Sequence, residues 1–320
     1  VVSSYSQLRE QFGLSINHFE GVEEKIAKIA AFTYMLNAAR NYTLDAIDNG
    51  EKPGVINSVM KYHATEKFRE VINDSMDVLG GSAIIRGENN LLAHAYFALP
   101  ISITVEGANI LTRNLMQFGQ GLIKSHPYIY KQINALKYDN TESFDKGFFG
   151  HVNLGYSSLC KTLFYNLTRG HIICEKGDFS RYKQKATWTS AEFTLLTNVA
   201  LAIVGPALKK RENISARFGD ILSNLYLITA TIREFENNPK DEDKDLVDYV
   251  CQYCFNEIQI AREEIISNLG GLGYLLPLVK LNSIGTKPED KINAKIVSSL
   301  NNEDRLADLT SNIFIDPTGN

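Results

Sequence analysis

Hydrophobic positions recur along almost the whole chain at spacings near 3.6 residues, the pattern of helices that bury one face. Over residues 21–48, Val22, Ile26, Ile29, Thr33 and Leu36 share a face, and Asn49-Gly50 ends the run. Pro53 is placed to open a second helix over residues 53–79, with Phe68, Ile72, Met76 and Leu79 on one stripe. Gly80-Gly81 stops it. Further helices are expected over 151–167 and along Phe193, Leu196, Ala200 and Ile203, the latter closed by Gly205-Pro206, with an irregular basic stretch at 176–185 between them. Ile214, Phe218, Ile221, Leu225, Ile228 and Ile232 then repeat at spacings of 4, 3, 4, 3 and 4, and Val247, Cys251, Cys254, Ile258, Ala261 and Ile265 carry the same spacings. Two long helices with matched seams and a short acidic link at 237–245 make an antiparallel helical hairpin. Strand-like alternation occurs only weakly, at 101–105, so the expected class is all-α.

That weak stretch delivers a single carboxylate. Ile101, Ile103, Thr104 and Val105 lead to Glu106 and Gly107, and then Ile110, Leu111, Leu115 and Phe118 read as a helix ending by Gly119 or Gly121. A lone acid between an apolar segment and a glycine suits a greasy pocket, where desolvation makes a carboxylate a better base. By spacing alone it is equally a first-turn acid favoured by the helix dipole. Gly80-Gly81 likewise reads either as a helix stop with a tight turn or as a place for close backbone approach to a phosphate or ring.

Other motifs read more plainly. Cys251-Gln-Tyr-Cys254 has redox or metal spacing, but both cysteines occupy seam positions and no partner cluster completes a zinc site, so core packing is expected and no metal. The six histidines are scattered without metal or triad spacing. Short basic clusters, Lys209-Lys210-Arg211 and the 176–185 stretch, are either solvated helix ends or aids to contact with an acidic membrane surface.

Composition narrows the class without naming a function. With 320 residues the chain can hold two domains, and a net charge of −4 argues against nucleic acid. Four cysteines do not build a disulfide framework, and no apolar run is long enough to span a bilayer, which points to a cytoplasmic or membrane-peripheral protein. The polar, glycine-bearing stretch 137–150 is the expected linker between a domain at 1–136 and another at 151–320. The chain opens Val-Val-Ser-Ser and closes Pro-Thr-Gly-Asn, which reads as a piece of a longer polypeptide, truncated within its last domain.

Three segments in order resemble the C-terminal half of an acyl-CoA dehydrogenase of the long bacterial FadE type. Tyr5-Ser-Gln-Leu-Arg-Glu-Gln-Phe-Gly-Leu-Ser-Ile-Asn-His-Phe-Glu-Gly21 is similar to the family's Arg-x-x-Phe-Gly segment, and Met76-Asp-Val-Leu-Gly-Gly-Ser-Ala-Ile84 to its glycine turn. Val105-Glu-Gly-Ala-Asn-Ile-Leu-Thr-Arg113, continued by Phe118-Gly-Gln-Gly121 and His126-Pro127, is similar to the segment that carries its base. The stretch Lys209-Lys-Arg-Glu-Asn-Ile-Ser-Ala-Arg-Phe-Gly-Asp-Ile-Leu-Ser223 resembles the extra C-terminal domain of that branch. Ala83, Ala108 and Ile110 depart from the family pattern, as do Glu20 and Asp77.

The resemblance implies a C-terminal helical bundle followed by a second helical domain, and conversion of a saturated acyl-CoA to a trans-2-enoyl-CoA in fatty-acid β-oxidation. Glu106 takes the base's position, and its backbone N–H that of a donor to the thioester carbonyl. Arg9 and Phe12 match residues that hold FAD across a subunit interface, and Gly80 and Gly81 match the turn that approaches the neighbouring subunit's dinucleotide. Implied partners are an acyl-CoA substrate, an electron-accepting flavoprotein and a second copy in a homodimer, with peripheral contact at the inner membrane. The family's N-terminal helical and middle β domains have no counterpart in these residues, so the chain alone is expected to turn over little substrate and bind FAD weakly. A non-catalytic helical interaction module and an acyl-CoA oxidase are the competing readings.

Overall fold

The computed structural model describes residues 1–114, 127–270 and 282–313. Leu115, Phe118, the expected helix end at Gly119 or Gly121, and His126 lie outside them. The regular secondary structure of the described residues is almost wholly helical, as the hydrophobic spacing predicts.

Helix α1 (Val2–Leu8) leads into a two-stranded antiparallel ribbon, β1 (Glu10–Gln11) and β2 (Leu14–Ser15), closed by Phe12-Gly13 with φ of 53° and 80°. Two central residues with positive φ form the type I′ turn that matches strand twist. The long helices α2 (Glu20–Asp48) and α3 (Gly54–Leu79) follow, then the short α4 (Gly81–Ile84), α5 (Ala93–Thr104) and α6 (Asn109–Leu111). Helices α7 (Ile129–Lys137), α8 (Thr141–Thr168) and α9 (Ser180–Val204) precede the expected hairpin, α10 (Glu212–Asn237) and α11 (Lys244–Leu269). Two short helices the hydrophobic pattern did not announce, α12 (Asp290–Ser299) and α13 (Glu303–Leu309), complete the described chain.

The core sits around α2. Its buried face is rich in alanine (Ala27, Ala30, Ala31, Ala38 and Ala39), so α10, α11 and α12 can approach closely, while Phe32 and Met35 fill the gaps between them. Cys254 lies in that seam, its sulfur 3.9 Å from the sulfur of Met35. One hydrophobic cluster therefore runs from Val2 and Ile16 through Ile228 and Ile258 to Leu300. Residues expected to form a second domain share this core with α2.

Three local expectations need correction. Residues 101–105 form no strand: they belong mostly to α5, which packs on α3 and continues through Pro100, and the Thr104 hydroxyl turns back to the Pro100 carbonyl at 3.1 Å. The basic stretch 176–185 is only half irregular, because α9 begins at Ser180. Residues 137–150 are not an open linker. The Asn140 side chain caps α8 by accepting from Ser143 N–H at 2.9 Å. The two glycines that suggested looseness are contact points: a Cβ on Gly150 would meet the Tyr128 ring at 2.4 Å, and one on Gly147 would meet Gln132 at 3.1 Å. Glycine here lets α8 lie close against α7 and the turn before it.

Candidate functional site

Glu106 occupies a sharp corner between α5 and α6. Val105 is extended, Glu106 has φ 58°, and Gly107 has φ 101°, so two successive residues adopt the left-handed half of backbone space. For a glutamate that conformation is held only when its surroundings fix it. The fixing comes from α3. Lys61 Nζ donates to Gly107 O at 2.7 Å, to Asn109 Oδ1, and to Ile103 O at 3.5 Å. The buried Asn109 amide in turn donates to Thr65 Oγ1 at 2.8 Å and Glu66 Oε1 at 2.7 Å. On the far side of α6, Arg113 forks onto Asp220 of α10, with Nε–Oδ1 at 2.9 Å and Nη2–Oδ2 at 2.5 Å. That carboxylate holds the Arg113 guanidinium charged well above its ordinary pKa.

The Glu106 side chain itself is exposed, and no described residue accepts a hydrogen bond from its backbone N–H. Ile101, Val105, Ile110 and Leu111 around it in the chain are exposed as well. Among the described residues, the greasy pocket expected for this acid is thus an open apolar surface.

The remaining site residues lie elsewhere. Arg9 and Phe12 are exposed on the ribbon after α1, with Phe12 94% accessible and its ring edge-on to Phe19 at 6.2 Å. Tyr5, one turn before Arg9, ties α1 to the glycine turn by reaching Ser82 Oγ at 3.1 Å and Leu79 O at 3.4 Å. Gly80 has φ 56° and ψ −127°, a conformation only glycine adopts readily, whereas Gly81 begins α4 without positive φ. A Cβ on either would meet nothing within 4 Å. An open groove of about 620 Å³, lined by Tyr5, Ser82 and Asn90 among others, runs beside them.

The structure therefore brings Arg9, Phe12, Gly80 and Gly81 to one end of the molecule and sets Glu106 apart from them. Lys61 and Gly80 are nineteen residues apart on α3 and its cap, a separation of about 28 Å at helical rise. The sequence reading missed Lys61, Asn109, Arg113 and Asp220 as supports of the corner. Asn109 and Arg113 were visible as polar breaks in an apolar run; Lys61 and Asp220 gave no local sign.

A second surface stands out on α8. Phe149, Val152, Tyr156, Leu159, Leu163 and Leu167 recur along it at helical spacing and all are exposed, while Gly147, Ser158, Thr162 and Asn166 form its buried side. No helix of the described residues is long and apolar enough to cross a membrane.

Residues 1–119 match the family model described as acyl-CoA dehydrogenase, C-terminal domain. Residues 123–320 match the model described as acyl-CoA dehydrogenase, C-terminal, bacterial type. In fold the chain is similar to an acyl-CoA dehydrogenase from Bacillus anthracis crystallised with FAD, with a TM-score of 0.72 and 19% identity over 95% of this chain. The match takes in 52% of that protein, so the chain spans about half its length. With both family models matched in order over nearly every residue, this chain belongs to the acyl-CoA dehydrogenase family, of bacterial type.

Proposed function

We propose that this chain supplies the catalytic base and part of the flavin site of an FAD-dependent acyl-CoA dehydrogenase that converts saturated acyl-CoA to trans-2-enoyl-CoA in fatty-acid β-oxidation. The observation that carries the reading is the Glu106 corner: one carboxylate, with a backbone donor that no described residue uses, held by Lys61 beside exposed apolar residues. A carboxylate in water is a weak base toward a thioester α-proton. Covering the corner with an acyl chain would desolvate the carboxylate and raise its basicity as substrate arrives. No described residue accepts from the Glu106 N–H, and a bond from it to the thioester carbonyl would stabilise charge developing there. Glu106 then accepts the α-proton on its carboxylate.

The residues at the other end fit a dinucleotide. Arg9 offers a planar fork for phosphate oxygens, Phe12 an uncovered aromatic face, and the backbone at Gly80 and Gly81 is open to close approach. FAD, when bound, supplies the two-electron oxidising power for the β-carbon. Because the two groups of residues are far apart on one chain, each is read as half of a site completed by another surface, which supports a homodimer. The bare face of α8 supports a further contact, at the inner-membrane surface. The reduced cofactor would pass its electrons to an acceptor flavoprotein.

The test is Glu106→Gln in the full-length, FAD-loaded protein, mixed anaerobically with butanoyl-, octanoyl- or palmitoyl-CoA. Loss of flavin bleaching with retained acyl-CoA binding is expected. Bleaching at the unaltered rate would remove Glu106 as base. An unaltered protein that never bleaches with any acyl-CoA would point to the interaction module, and peroxide formation in air to the oxidase.

A further inference from the structure

The corner that carries Glu106 is anchored at both ends, and one anchor comes from the bacterial-type extension. Arg113 follows Glu106 by seven residues. Between them, Ala108 O accepts from Thr112 N at 2.9 Å and from Thr112 Oγ1 at 3.2 Å, so residues 108–112 behave as one short rigid piece. A displacement at Arg113 is therefore passed to Gly107 and Glu106. Arg113 meets Asp220 through two parallel hydrogen bonds, which fix the guanidinium in rotation as well as position. Asp220 has no freedom of its own to follow a moving loop. It lies on α10 between the buried Gly219 and Ile221, in the helix whose seam packs on α11 and α2. Its side chain is 17% exposed, so the pair is partly shielded from solvent.

We infer that Asp220 is a positioning residue for the Glu106 corner, so that the extension takes part in setting the base rather than only enlarging the protein. This rests on the reading of Glu106 as the base. Lys61 holds the corner from α3 and Asp220 holds it from α10; losing either anchor leaves the strained backbone at Glu106 and Gly107 free to relax. The first anchor lies within the segment matched by the general C-terminal domain model, the second within that matched by the bacterial-type model.

The experiment uses Asp220→Asn, Arg113→Ala and the exchanged pair Arg113→Asp with Asp220→Arg in the full-length, FAD-loaded protein. Hydrogen–deuterium exchange of peptides covering residues 103–113 is read beside flavin bleaching by octanoyl-CoA in a single turnover. Each single variant is expected to speed exchange in that segment about tenfold while leaving α10 and α11 protected. Bleaching should slow by about tenfold at an unchanged acyl-CoA dissociation constant, because a misplaced base loses rate rather than binding. The exchanged pair should recover most of both effects. Unchanged exchange at 103–113 in both single variants would overturn the inference, as would faster exchange spread equally over α10 and α11, which marks a merely structural role. If Glu106→Gln still bleaches, the base assignment falls, while the exchange data separately decide whether Asp220 holds the corner.

Discussion

The Lys61 ammonium lies 2.7 Å from the carbonyl oxygen of Gly107, one residue past the proposed base. Its other protons go to Asn109 Oδ1 and Ile103 O, so one side chain on α3 satisfies three acceptors of the corner. Lys61→Met keeps most of the stem and removes the donors. Leaving partly buried acceptors without partners costs about 1–3 kcal/mol, and that loss is expected in denaturant unfolding of the variant. Lys61→Arg should recover part of it. An unfolding midpoint and slope identical to those of the parent would show that the corner does not depend on this lysine.

Gly80 and Gly81 separate two reasons for glycine. A Cβ would find open space at both, but only Gly80 has positive φ. Gly80→Ala is therefore expected to cost about 1–2 kcal/mol of stability through backbone strain alone. Gly81→Ala sits at the start of a helix and should be neutral or stabilising by up to about 1 kcal/mol. If the dinucleotide approaches this turn closely, Gly81→Ala will weaken FAD binding without weakening the fold. Flavin titration of the full-length variant beside its melting curve checks this; an unchanged FAD affinity would remove Gly81 from the flavin site.

The parts of this fold that could be read in the sequence are those set by repetition. The α10–α11 seam repeats over five intervals in each helix, and such a pattern has few other ways to bury itself. Short or single-contact features could not be read. The Lys61–Gly107 bond joins residues 46 apart and leaves no periodic trace. Residues 101–105 offered a strand's composition over too few positions to outweigh packing against α3. Gly147 and Gly150 looked like loop glycines because a glycine that permits helix contact has the same letter as one that permits a turn. The sequence placed Glu106 between an apolar segment and a glycine, but the positive φ of its corner and the lysine that holds it left no local sign.

Cys251 and Cys254 fill the hairpin seam, and burial raises both thiols well above their ordinary range. Cys160 and Cys174 are exposed. Because the thiolate is the reactive form, an aromatic disulfide reagent at neutral pH should titrate two thiols in the folded chain and all four of its cysteines in denaturant. Rapid reaction of a third and fourth thiol under native conditions would contradict the packing assigned to this pair.

His63 gives the fold a defined sensitivity to acid. It is buried on α3, neither ring nitrogen has a hydrogen-bond partner among the described residues, and its ring packs edge-on to Tyr62. Burial, reinforced by the positive charges of Lys67 and Arg113, pushes its pKa down from 6.5 to about 3. The folded chain thus keeps His63 neutral while the unfolded chain protonates it below about pH 6.5, so the unfolded state binds the extra proton across that window. Stability from this group is complete above the unfolded value and is lost as pH falls toward the folded one. At about pH 5 the loss is about 2 kcal/mol relative to neutral pH. His63→Leu removes the titrating ring. Its stability relative to the parent should therefore improve by about 2 kcal/mol between about pH 8 and pH 5, with the other carboxylates and histidines common to both chains. Urea unfolding of the two proteins at both pH values measures that change, and a stability difference that stays constant with pH would place His63 in contact with water.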